Sequence, residues 1–87
     1  MSGFWRMDLA SVWVPSAGGA LDALERAFPR GELAIAPDRE GGFRIWILAE
    51  LRERDRLTEA KVRAALPSGL RRKAKIIVGR EEEKDED

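Results

Sequence analysis

The chain contains no cysteine and no histidine. Disulfides, thiolate nucleophiles, haem ligation, Cys/His zinc sites and imidazole acid–base catalysis are therefore excluded. Tyrosine, asparagine and glutamine are absent too, which removes the side-chain amides that read adenine. Four serines and one threonine are the only side-chain hydroxyls, and no imidazole stands ready to activate one as a nucleophile. Any catalysis would have to run on Asp, Glu, Lys and Arg alone. The expectation is a protein that is not an enzyme and takes no cofactor and no metal. No apolar run approaches the roughly 18 residues that a membrane-spanning helix needs, so no membrane is expected among its partners. Sixteen basic residues balance sixteen acidic ones, so the chain also lacks the positive field that phosphate binding requires.

What remains is a short, charged, yet core-forming chain. Its 87 residues are 44% apolar and 37% charged, too apolar for a disordered polymer. A domain of this size buries only about 60% of its unfolded surface. Residues 1–80 read as a single domain. Residues 81–87 hold six acids and one lysine and read as a disordered, solvated tail. The N-terminal Met1-Ser2-Gly3-Phe4-Trp5-Arg6 has no basic segment followed by an apolar core, and with no cysteine in use the expected location is cytoplasmic.

Trp5 to Val14 reads as a strand, with Trp5, Met7 and Leu9 alternating with Arg6 and Asp8, then apolar on both sides until Pro15. Ser16 is a candidate N-cap for a helix carrying Ala20, Leu21, Leu24, Ala27 and Phe28 on one side, ended by Pro29 and Gly31. Leu33 and Ile35 mark a second strand, and Pro37 to Gly42 a hairpin loop. In the third strand Phe43, Ile45, Ile47, Ala49 and Leu51 share one face; Arg44, Trp46, Leu48 and Glu50 share the other. Thr58 caps a second helix, with Leu57 and Val62 as a hydrophobic staple and Pro67 and Gly69 as its end. Lys75 to Val78 is a fourth strand. The helix ends Arg26–Gly31 and Ala64–Gly69 match at a spacing of 38 residues, as two strand–helix–strand halves would.

Strand–helix–strand twice over gives βαββαβ, and the right-handed crossover rule leaves few topologies. The fold class expected is an α+β ferredoxin-like sandwich, a four-stranded antiparallel sheet with two helices on one face. Its other face is open. Arg44, Trp46 and Leu48 are assigned to that face from the third strand, with Ala10, Val12 and Val14 from the first. An exposed apolar patch of this kind points to a partner. The expected function is non-enzymatic binding or regulation of another protein, or of a second copy as a homodimer, through Val12, Val14, Arg44, Trp46 and Leu48. A small inhibitor of phage type, its acidic tail mimicking a polyanion, is one form this could take.

Two alternatives come from other signals. Arg71, Arg72, Lys73 and Lys75 form the only concentrated basic stretch, which with Trp46 as a stacking surface would suit RNA or DNA. The glycine-rich start of the first helix could offer backbone N–H groups to an anion. Val14 to Leu21 resembles, over eight residues, the strand–loop–helix entry of ACT regulatory domains, which sense small molecules and share this fold. Ser16 or Ala17 and Gly18 stand where those domains favour Asp and Pro. The resemblance implies a small-molecule sensor with an amino acid or similar anion near Ser16, Gly18 and Gly19.

Overall fold

The computed structural model describes residues 5–52 and 55–79. They form β1 (Trp5–Val14), α1 (Ala20–Ala27), β2 (Gly31–Pro37), β3 (Phe43–Arg52), α2 (Glu59–Ala65), α3 (Ser68–Arg71) and β4 (Lys75–Gly79). This is a small α+β domain with one four-stranded sheet in the order β2-β3-β1-β4, every neighbouring pair antiparallel. The expected tail, 81–87, lies outside the described residues, as do residues 1–4, 53–54 and 80.

The long central strands β1 and β3 pair over their whole length, from Trp5 opposite Arg52 to Val14 opposite Phe43. Directly opposed residues share a face, so this register links the even residues of β1 to the odd residues of β3. Ile45, Ile47 and Ala49 are buried, and so are Ala10, Val12 and Val14. They form one core with Ala20 and Leu24 of α1, Leu57, Val62 and Leu66 around α2, and Leu70 of α3. The assignment of Ala10, Val12 and Val14 to the open face is therefore wrong. Val12 lies opposite Ile45 and Ile76, under the helices. The uncovered face of β1 carries Met7, Leu9, Ser11 and Trp13.

Asp8 is the physical cause of that error. Its place in the even set suggests a solvated face, yet it is 2% exposed. Its Oδ2 accepts the Leu57 backbone N–H at 2.9 Å, tying the N-terminal end of the sheet to the approach to α2. A buried carboxylate is tolerated when hydrogen bonds replace its water, and here it fixes where α2 begins. Asp8→Ala leaves that amide unpaired in the interior and is expected to cost about 1–3 kcal/mol. A urea titration would read this as a lower midpoint at unchanged slope.

The helix termini show which local signals held. Thr58 is the N-cap of α2, its hydroxyl accepting from Lys61 N–H at 3.2 Å, and the staple residues Leu57 and Val62 are both buried. Ser16 is not a cap. The N-cap of α1 is Gly19, whose φ of 73° lies in the left-handed region, with no side-chain cap. α2 does end before Pro67, with Ala65 its last residue and Leu66 its C-cap, but a further short helix follows that the sequence pattern did not announce. Pro67 caps α3, and Gly69 lies inside it. Arg71 explains this third helix: its Nε donates to Leu66 O at 2.9 Å and its Nη2 to Ala64 O at 3.1 Å, taking up the orphan carbonyls at the end of α2. Arg63 closes the other side, donating to the carbonyls of Arg71 and Ala74 and pairing with Glu59.

Candidate functional site

The uncovered sheet face is laid out by the register. One row across the sheet runs Ala34, Trp46, Ser11, Ile77; the row beside it runs Glu32, Leu48, Leu9, Gly79. Met7 (48% exposed), Leu9 (45%), Trp46 (45%) and Ile77 (65%) are the exposed large apolar side chains among the described residues, and all four fall on this face. Trp46 and Leu9 separate two shallow depressions. One, of 270 Å³, is lined by Leu9, Glu32, Ala34, Trp46 and Leu48 among others. The second, of 200 Å³, reaches across Ser11 to Ile77 and Gly79.

Polar groups mark the ends. Toward the hairpin the next row is Ala36, Arg44, Trp13, Lys75. The Trp13 indole N–H donates to Gly41 O at 2.8 Å. Lys75 Nζ stands 5.4 Å from the ring centroid, a cation–π distance. Gly42, at φ 77°, lies close against the indole, where a Cβ would come within 2.7 Å of it. Trp13 is thus held by a hydrogen bond, a cation and a close backbone contact. Arg44 reaches Ser11 Oγ at 3.4 Å and Asp38 Oδ1 at 3.5 Å. At the opposite end stand Glu50, paired with Arg30 at 3.6 Å, and Glu32. An apolar centre with charges at its margins is the usual anatomy of a protein-binding surface.

Arg44, Trp46 and Leu48 take the face assigned to them, whereas Val12 and Val14 are core. Met7, Leu9, Trp13 and Ile77 were missed. The sequence signal for them was the odd-numbered apolar set of the first strand, masked by Asp8. The basic stretch is divided: Arg71 is spent on the end of α2, Arg72 and Lys73 lie in the exposed connection after α3, and only Lys75 joins the open face. Ser16, Gly18 and Gly19 form the turn into α1, closed by Ala20 N–H to Ala17 O at 3.0 Å, and Gly19 packs toward the Pro67 ring, 3.7 Å from where a Cβ would stand. Among the described residues no group of three or more acidic, cysteine or histidine side chains could hold a metal ion, and no helix is long and apolar enough to cross a membrane. No family model matches the chain, and no curated protein or solved structure matches it either.

Proposed function

We propose that this chain is a non-enzymatic protein-binding module of the ferredoxin-like class that works through the open face of its sheet, its simplest partner being a second copy. The sheet order supports the fold reading: β1 and β2 run parallel with β3 between them, and β3 and β4 parallel with β1 between them, as two interleaved βαβ halves require. The observation that carries the function is the gathering of Met7, Leu9, Trp46 and Ile77 on one flat face. Burying such a surface is favourable by about 25 cal/mol per Å², and an indole at the centre of an interface is the side chain most often found dominating its energetics.

The same geometry weighs against nucleic acid. Trp13 is half-buried with Lys75 already over its ring, which leaves Trp46 as the exposed indole described on the face, and Arg71 is committed to α2.

Sedimentation equilibrium tests the reading. The wild-type chain should associate reversibly, and Trp46→Ala should weaken association by about 2 kcal/mol or more, roughly thirtyfold. At concentrations where both proteins are monomeric the variant should remain folded, because the side chain is half exposed in the isolated chain. A wild-type protein that stays monomeric at millimolar concentration, or a variant that associates as well as wild type, refutes it.

A further inference from the structure

This inference rests on the open face being the contact between copies, and it fixes how the copies are turned. β1, β2, β3 and β4 are 10, 7, 10 and 5 residues long. At about 3.4 Å per residue and about 4.8 Å between strands, they present a face of about 500 Å² per copy. Specific interfaces begin near about 1,000 Å² summed over both partners. Two copies must therefore overlap almost completely, and what is left to fix is the turn between them.

Sheets stacked in line, within about 30° of one another, are related by a twofold axis lying along the strands or across them. Charge does not choose between the two. One end of the face carries Arg30, Glu32, Glu50 and Arg52, the other Asp38, Arg39, Glu40, Arg44 and Lys75, so both signs stand at both ends.

The relief of the face does choose. The row Ala34, Trp46, Ser11, Ile77 reads small, large, small, large from one edge to the other. The 270 Å³ depression lies at Ala34, beside Trp46, and the 200 Å³ depression lies at Ser11, between Trp46 and Ile77. An axis along the strands reverses this order, laying β4 over β2 and β1 over β3. Ile77 of each copy then enters the hollow at Ala34 of the other, and Trp46 enters the hollow at Ser11. The flanking rows follow the same exchange at their edges: Lys75 comes over Ala36, and Gly79 over Glu32. An axis across the strands stacks each strand on itself instead. The large side chains Arg44, Trp46 and Leu48 of β3 then meet as ridge on ridge, while Ala34 and Ala36 of β2 face the small residues of the other β2 across a gap. An unfilled gap forfeits the dispersion contacts that close packing supplies.

We propose that two copies stack about a twofold axis along the strands, Ile77 of each seated in the Ala34 hollow of the other and Trp46 of each in the Ser11 hollow.

Because the chain has no cysteine, a single Arg39→Cys at the exposed hairpin tip can carry a spin label. An axis along the strands keeps the two tips at one end, within about 25 Å of each other, from the strand and sheet spacings and the in-line angle. The tip is some seven residues from the sheet midpoint, so an axis across the strands, or an orthogonal stacking, separates the labels by about 35 Å or more. The short distance supports the proposal. The long one overturns it, and leaves the open-face reading intact where Trp46→Ala still disperses the copies. Loss of any distance between copies at millimolar protein overturns the open-face reading itself.

Exchanging knob and hollow checks the seating. Ile77→Ala and Ala34→Ile should each weaken self-association about tenfold or more. Both positions are exposed, so circular dichroism should report folded chains. The double variant restores a large side chain against a small one and should recover association to within about threefold of wild type. Single variants that associate like wild type, or a double variant no tighter than its single parents, overturn the seating. About the axis across the strands Ile77 and Ala34 lie on opposite edges and never meet, so no recovery arises there.

Discussion

Val12→Asp should abolish folding, whereas Leu9→Asp, three residues earlier on the same strand, should leave the fold intact and remove self-association. Val12 is fully buried, opposite Ile45 on one side and Ile76 on the other. A carboxylate there has no described polar partner to replace its hydration, a penalty of several kcal/mol, comparable to the 5–15 kcal/mol that holds a domain together. Leu9 is 45% exposed opposite Leu48. Aspartate at that point costs the isolated chain little but would introduce a desolvated charge into the centre of the proposed contact between copies. Circular dichroism should report a coil for Val12→Asp and a native spectrum for Leu9→Asp, and sedimentation should report a monomer for the latter. A folded Val12→Asp variant, or a Leu9→Asp variant that associates normally, would contradict the facing of β1.

The second large effect is at Gly31. It pairs with Ala49 at the start of β2, and a Cβ built there would stand 2.3 Å from Leu48 O and 3.0 Å from Ala49 Cα. Both obstacles are backbone of the central strand β3, so no side-chain rotation relieves them. Gly31→Ala is expected to displace β2 from its register, destabilising by about 1–3 kcal/mol as other overpacked sites do, and Gly31→Val by more. Gly41, where nothing lies within 4 Å of a built Cβ, serves as the contrast: its alanine variant meets only the cost of its positive φ. Thermal unfolding of the two variants should rank Gly31→Ala well below Gly41→Ala. The reverse order would mean that β2 does not approach β3 as described.

Much of the architecture was legible because each element is bounded by chemistry that acts locally. The alternation in Phe43–Leu51 is unambiguous, since Arg44 and Glu50 sit on one side and Ile45, Ile47 and Ala49 on the other. Thr58 caps as its position suggests, and the Pro37–Gly42 loop closes a hairpin. The candidate face was only half legible, because β1 is apolar on both sides and the deciding residue, Asp8, is charged yet buried. Its burial depends on the Leu57 amide, 49 residues away, and no local pattern announces a partner at that distance. Gly31 was read as a helix stop for a similar reason: its value lies in a close approach to β3, which only the tertiary structure discloses. Arg71 looked like part of a basic patch, and it is one in sequence alone. Its guanidinium is turned inward to the carbonyls that the end of α2 leaves unpaired.

The central claim is that the uncovered sheet face is covered by protein in solution. Fluorine NMR of the protein carrying 5-fluorotryptophan tests it directly, with each indole assigned by Trp→Phe replacement. As concentration rises, the Trp46 resonance should shift and lose its response to a soluble paramagnetic probe. A Trp46 signal that stays equally open to the probe from micromolar to millimolar protein, with the chain folded throughout, would contradict the account.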